Sequence, residues 1–190
     1  MKIIACLYLA LSLFAATPAV DIQLHSGDAR EQKGKDLILE FLDRYDLEKY
    51  IFTNKVIIQS KAIPHSHPVL TLNTRHIHDP DRYFSTFIHE QLHWYFSGAN
   101  SDKTKMFVEE IKKHFPDIPN SDKGGAKNEF STYLHLGVCY YEYMALKQYL
   151  GEQRARHLFE TSDVYTWINK QVLDKGQIIS ETLKANDLNL

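Results

Sequence analysis

The stretch that decides the fold is "DPDRYFSTFIHEQLHWYFSG", residues 79–98. It opens with Asp-Pro-Asp, a typical helix start, because aspartate caps the first backbone amides and proline fits the first turn. It closes at Gly98, a residue type that commonly ends helices. Between these points, apolar residues recur at helical spacing: Phe84, Ile88, Leu92 and Tyr95. We therefore predict a half-buried helix over about 81–97.

Within this helix, the residues His89-Glu90-Gln91-Leu92-His93 fit the pattern H-E-x-x-H. Positions i and i+4 of a helix project from nearly the same face, about 6 Å apart along the axis, so two imidazoles can bind one zinc ion. Glu90 lies one step round the helix, where it could accept a proton from water at the metal. The alternative is a solvated helix face that carries two surface histidines.

A catalytic zinc ion normally has three protein ligands, so a third must come from another element. The long apolar helix predicted over 128–150 contains His135 and Glu142 within its apolar run. They lie seven residues apart, on one stripe but about 10.5 Å apart along the axis, so only one should bind the ion. Without a metal, Glu142 would need an ion pair and His135 a hydrogen bond, for instance to a tyrosine. We favour Glu142, because a buried carboxylate needs a cation more than an imidazole does, and His135 remains the alternative.

These motifs together resemble a known class of enzyme. The first motif, followed by a second helix with Glu142-x-x-Ala145, resembles the zincin metallopeptidases and the gluzincin group in particular. The resemblance implies one zinc ion and hydrolysis of a peptide or protein substrate. It also implies a role for each of five residues: His89, His93 and Glu142 as zinc ligands, Glu90 as general base, and His135 as the side chain that steadies the oxyanion.

The remaining pattern predicts an α+β fold, a mainly helical zincin-like domain with a small β-sheet or hairpin before the H-E-x-x-H helix. Runs 54–63 and 67–75 are rich in β-branched residues and should pair with each other. Residues 21–33 are polar and are expected to be loose. Helical periodicity appears in further segments: 35–51, 103–115, 128–150, 152–160, 163–175 and 177–185. In zincins an extended peptide adds to an edge strand beside the cleft, so the resemblance gives run 67–75 that role.

The N-terminal segment predicts export. Lys2 precedes an apolar run from Ile3 to Ala16, and small residues follow up to Ala19. We interpret residues 1–19 as a signal peptide and residues 20–190 as a single domain, which places the protein in the periplasm or outside the cell. The alternative is an uncleaved membrane anchor. No later run is long and apolar enough to span a bilayer, so we expect no membrane association after cleavage.

Composition narrows the remaining functional classes. The 190 residues carry a formal net charge of −2, and no basic block is interleaved with aromatic residues, so nucleic-acid binding is not expected. Cys139 is the one cysteine left after signal removal, which excludes an internal disulfide. Tyr165 is first a core residue, with a second possible role as an oxyanion donor in the cleft. The alternative function is a non-catalytic exported metal-binding or interaction protein that keeps a zincin-like fold.

Overall fold

A computed structural model describes residues 20–190, and the predicted signal peptide 1–19 lies outside them. Three strands and six α-helices follow one another in an α+β arrangement of mainly helical character, as the sequence predicts. The strands are β1 (Asp21–Leu24), β2 (Lys55–Ile58) and β3 (Leu70–Leu72). The helices are α1 (Ala29–Arg44), α2 (Pro80–Tyr95), α3 (Ser101–Ile111), α4 (Glu129–Leu150), α5 (Glu152–Glu160) and α6 (Thr166–Ala185).

The three strands form one parallel sheet in the order β1-β2-β3. Val56 of β2 lies opposite Ile22 of β1 and Leu70 of β3, and all three side chains are buried. Parallel neighbours need a long connection, which α1 provides between β1 and β2. The predicted pairing of the two strand runs is confirmed, and their parallel direction excludes the hairpin alternative.

The expectation that residues 21–33 are loose is wrong. They contain β1 and the first residues of α1. Only Ile22 of β1 is buried, so backbone pairing with β2 holds this strand and its side chains give little apolar pattern. α1 begins after Asp28, whose carboxylate accepts hydrogen bonds from the backbone N–H groups of Arg30 and Glu31.

α4 occupies the middle of the helical part and packs against α2, α5 and α6. α2 turns its apolar stripe into the same core, where Phe84, Ile88 and Leu92 are fully buried. The predicted start of α2 is confirmed by Asp79, which caps it and accepts a hydrogen bond from the Arg82 N–H group. Within residues 20–190, no helix combines the length and apolar character that crossing a membrane requires.

The last two predicted helices form one element that is broken inside. α6 covers both, and Lys175 has non-helical dihedral angles (φ −131°) at the predicted division. The helix begins after Tyr165, which adopts the left-handed conformation with φ 53°. This turn directs the Tyr165 ring toward α2 and α4, where it meets the histidines.

Candidate metal centre

Three histidines from two helices converge at the contact of α2 with α4. The Nε2 atoms of His89 and His93 lie 3.3 Å apart. The ring centroid of His135, from α4, is 5.4 Å from that of His89 and 4.9 Å from that of His93. One nitrogen from each imidazole lies within 4.8 Å of the others. The structure therefore brings the predicted pair and His135 into one cluster.

The geometry of this cluster could hold a metal ion of the size of zinc. A tetrahedral site with Zn–N bonds of 2.0–2.1 Å places two ligand nitrogens about 3.3–3.4 Å apart, the separation found between His89 and His93. Metal ligands must also be neutral imidazoles. Burial and neighbouring histidines lower the pKa of His93 to about 2 and that of His135 to about 3. Both imidazoles are therefore neutral at physiological pH and able to donate a lone pair. For His89, burial is outweighed by the Glu142 carboxylate, which raises the pKa of His89 well above its ordinary value, so His89 would have to release a proton to bind a metal.

The second nitrogen of two of these rings is held by a fixed acceptor. His89 Nδ1 donates to Glu142 Oε2 over 2.8 Å, and His135 Nδ1 donates to the Ser131 carbonyl oxygen over 2.6 Å. Such bonds fix the tautomer and the ring orientation of metal-binding histidines, leaving Nε2 for the metal. Ser85, one turn before His89, donates to the other Glu142 oxygen and holds that carboxylate in turn.

The two candidates for the third ligand occupy different places. His135 approaches both His89 and His93, whereas Glu142 contacts His89 and Ser85, one turn nearer the start of α2. α4 therefore crosses α2 in the opposite chain direction. The metal-sized cluster that holds both motif histidines is completed by His135, while Glu142 forms a separate group with His89 and Cys139. This geometry favours His135 as the third ligand over Glu142, the residue that the sequence favours. Glu142 bonds Nδ1 of His89, whereas the His89 nitrogen that approaches His93 is Nε2.

Glu90 faces the cleft beside this cluster. The residue is 7% exposed, and its carboxylate accepts no hydrogen bond from residues 20–190 but is open to the cleft. Burial raises the pKa of Glu90, and the nearby His89 and His65 oppose the rise only in part. A buried carboxylate without a donor is a stronger base than an exposed one and is ready to take a proton.

His89 and Glu90 line a cleft of about 740 Å³ together with Cys139 and Glu142 of α4, whereas His93 and His135 are not among its lining residues. Residues of α5, α6 and several loops complete the walls of this cleft.

Tyr165, from the loop before α6, lines this cleft. Its ring stacks on His89 at 5.7 Å with an interplanar angle of 12° and lies 4.4 Å from His135. The left-handed backbone of Tyr165 costs about 1–2 kcal/mol. Residues in such conformations often belong to functional sites. Here the conformation places the Tyr165 ring against His89 and His135.

The edge of β3 is not open along its whole length. His65, in the connection from β2 to β3, pairs antiparallel with Thr71 through two backbone hydrogen bonds of 3.0 and 2.8 Å. The chain's own backbone thus occupies the place where a peptide would add to run 67–75. The structure therefore gives no support to strand addition at Thr71, and the cleft itself is the better candidate for a substrate.

Sequence reasoning missed the residues that hold the histidines. Ser85, which donates to Glu142, lies four residues before His89, and that helical spacing is the signal that could have revealed it. The 2.6 Å bond to His135 uses the backbone carbonyl of Ser131, so the residue type gives no signal for it. The sequence does not predict that Tyr165 lies against the histidines, because its position depends on the turn before α6.

Comparison with protein families, with curated proteins and with solved structures gave no match to this chain. The side chains of the site therefore carry the functional assignment.

Proposed function

We propose that this chain is a zinc-dependent peptidase with Glu90 as general base and His89, His93 and His135 as metal ligands. The observation that carries the proposal is the convergence of three imidazoles next to Glu90, whose carboxylate accepts no hydrogen bond from the described residues and which lines an open cleft together with His89. A zinc ion held there would supply a Lewis acid that polarises a carbonyl and acidifies water. The resemblance to the zincin metallopeptidases supports a peptide or protein as substrate.

Glu90 has the proton-transfer role. It follows His89 directly on α2 and lines the same cleft, so its carboxylate lies next to the place where water would attack a carbonyl. The raised pKa of Glu90 makes it a better base than an exposed glutamate. After taking the proton from the attacking water, the same carboxyl can deliver it to the leaving amine.

Tyr165 takes the role of oxyanion donor that the sequence gave to His135. A histidine that binds the metal through Nε2, with Nδ1 bonded to Ser131, has no N–H left to offer a substrate. The Tyr165 hydroxyl has no hydrogen-bond partner among the residues described. Burial raises the pKa of Tyr165, so its hydroxyl stays protonated and able to donate at neutral pH.

The predicted signal peptide supports an exported peptidase that acts in the periplasm or outside the cell. The contrasting proposal is a non-catalytic metal-binding protein, which would use the same three histidines but would not need Glu90. The fate of activity after a change at Glu90 therefore separates the two.

The test is hydrolysis of an unfolded protein by residues 20–190 loaded with zinc. Glu90→Gln should keep zinc and lower kcat by about 10²–10⁴-fold, because the amide cannot accept the proton. Glu40→Gln, an exposed change on α1, is the matched control and should leave kcat unchanged. Hydrolysis that survives in Glu90→Gln contradicts the mechanism. If the wild type and both variants bind zinc and none of them hydrolyses the substrate, the result supports the non-catalytic metal-binding protein instead.

A further inference from the structure

Cys139 is a buried thiol that the proposed mechanism does not use. It lies on α4, is 1% exposed, and follows His135 by four residues and precedes Glu142 by three. Residues at these spacings share one face of a helix, so Cys139 lies on the stripe between the two candidates for the third ligand. One ligand atom each from His89, Cys139 and Glu142 lies within 4.8 Å of the other two. These three residues form the cysteine group.

The cysteine group faces the cleft. His89, Cys139 and Glu142 all line its wall. The other two members of the histidine cluster, His93 and His135, do not. All three side chains of the cysteine group belong to buried residues, yet a cation can enter this group directly from the cleft. A few polar groups that converge on the wall of a large cleft are the usual form of a small-ligand site.

The distances within the cysteine group suit a metal ion. Tetrahedral bonds of about 2.0–2.3 Å to nitrogen, oxygen and sulfur place ligand atoms about 3.3–3.8 Å apart. His89 Nδ1 and Glu142 Oε2 lie 2.8 Å apart and share a hydrogen bond. These two atoms would separate slightly as a cation takes the place of the proton between them. The Nδ1 proton and the thiol proton of Cys139 would then leave to the water in the cleft.

Charge and ligand type indicate which cation would bind. A divalent ion held by a thiolate, a carboxylate and a neutral imidazole gives a buried group with no net charge. Burial raises the pKa of the Cys139 thiol, so the ion must displace a firmly held proton. Soft cations form the strongest bonds to thiolate and do this best. Zinc is also well served by imidazoles, and the histidine cluster supplies these without ionising a thiol.

We infer that the cysteine group is a second cation position, which takes a soft divalent metal ion on Cys139 Sγ, a Glu142 oxygen and His89 Nδ1. It lies on the other side of the His89 ring from the proposed zinc position, because Nε2 is the nitrogen that approaches His93. Peptide hydrolysis is not needed for this binding. Cd²⁺ is a suitable probe, since its bond to a thiolate gives a charge-transfer absorption in the ultraviolet.

The test is titration of metal-free residues 20–190 with Cd²⁺ while this absorption is recorded. Cys139 is the one cysteine in this part of the sequence, so the band reports a single thiol. Wild type should develop the band with about one ion per chain. His93→Ala should give the same band at the same midpoint, because His93 belongs to the histidine cluster and not to the cysteine group.

Two further variants test the other ligands in the His93→Ala background. Glu142→Gln removes a charged ligand and should shift the midpoint to higher Cd²⁺. Glu129→Gln, the same change at an exposed position of α4, is the matched control and should leave the midpoint unchanged. Cys139→Ser should lower the affinity measured by calorimetry by more than about 100-fold, the upper end for loss of a group that only supports a ligand.

The outcomes separate this inference from the proposed function. A wild type without the band, a band lost in His93→Ala, or a midpoint that Glu142→Gln leaves unchanged overturns the inference. These readings come from folded protein with Cys139 intact, so they stand even if Cys139→Ser fails to fold. A band that behaves as expected in a protein that neither binds zinc nor hydrolyses peptides contradicts the peptidase alone.

Discussion

Two buried glutamates, Glu31 at the start of α1 and Glu90 in the middle of α2, are treated by the fold in opposite ways. Both are nearly inaccessible, at 1% and 7% exposed. The Glu31 carboxylate accepts hydrogen bonds from three backbone N–H groups, those of Ser26, Gly27 and Ser60. Glu90 has no hydrogen-bond partner among residues 20–190.

The pKa shifts of Glu31 and Glu90 reflect this difference in hydrogen bonding. Burial would raise the pKa of Glu31, but the three backbone donors outweigh it and hold that pKa below its ordinary value. For Glu90 burial prevails, and the pKa is raised. The fold thus supplies donors to a buried carboxylate where it joins β1, α1 and β2, and leaves the Glu90 carboxylate without a protein donor where it faces the cleft beside His89. A carboxyl group in a cleft whose pKa is raised by burial is characteristic of catalytic sites.

The largest expected effect is the loss of zinc from the histidine cluster beside Glu90 when one of its ligands is removed. Wild-type protein should carry about one zinc per chain, and His93→Ala should carry none, because two remaining imidazoles do not complete the site. The measurement is metal content by mass spectrometry after dialysis. His78→Ala removes an exposed histidine and is the control. Equal zinc in wild type and His93→Ala would show that the cluster binds no metal.

Tyr165→Phe tests whether the cleft holds a second catalytic group. The phenyl ring keeps the stacking on His89 and His135 but removes the hydroxyl. We expect zinc content to stay unchanged and kcat to fall by about 10²–10³-fold, the usual loss for one oxyanion donor. Steady-state kinetics with a peptide substrate give the answer. A kcat equal to that of wild type would limit Tyr165 to a packing role.

The two candidates for the third ligand should differ in their effect on zinc affinity. His135→Ala removes a proposed ligand and should abolish stable binding. Glu142→Gln keeps a side chain of the same size and only weakens the bond to His89 Nδ1, so affinity should fall by about 10–100-fold. Competition with a fluorescent chelator measures both. If Glu142→Gln loses zinc and His135→Ala keeps it, Glu142 is the ligand, as the sequence first suggested.

The smallest effect concerns Glu31 and appears in stability. Glu31→Gln replaces charge-assisted bonds to three amides with weaker ones and should lower the free energy of unfolding by about 1–3 kcal/mol at neutral pH. The folded pKa is depressed, so this contribution is present above the ordinary value of 4.5 and is lost as pH falls through the folded pKa. Urea unfolding at several pH values measures it.

Glu40→Gln, an exposed change on the same helix, is the control for Glu31. Its free energy of unfolding should follow that of wild type at every pH. The difference between Glu31→Gln and Glu40→Gln should shrink on acidification. A constant difference down to low pH would mean that the Glu31 charge contributes nothing and that only its packing matters.

The sequence predicts local features of the site well and its tertiary features poorly. The cap at Asp79, the apolar stripe of α2 and the placement of His89, Glu90 and His93 follow from helix periodicity and need no partner element. The choice between His135 and Glu142 does not, because both lie on one stripe of α4. Only the direction in which α4 crosses α2 decides which of them meets both histidines.

The same distinction explains the errors in the sheet. β1 forms through backbone pairing with β2, and a four-residue strand with one buried side chain leaves almost no pattern in the sequence. The fold of His65 back onto Thr71 is likewise set by tertiary contact. The sequence predicts that the two β-branched runs form strands. It does not predict that β2 and β3 run parallel, or that His65 pairs with the edge of β3 at Thr71.

The most direct test of the account is a crystal structure of the zinc-loaded protein with anomalous diffraction at the zinc edge. The account predicts one zinc ion with imidazole nitrogens of His89, His93 and His135 at about 2.0–2.1 Å, and Glu142 still bonded to His89 Nδ1. Glu90 should face the remaining position of the metal. A zinc ion bound by a Glu142 oxygen in place of His135, or an anomalous peak elsewhere in the chain, would contradict it.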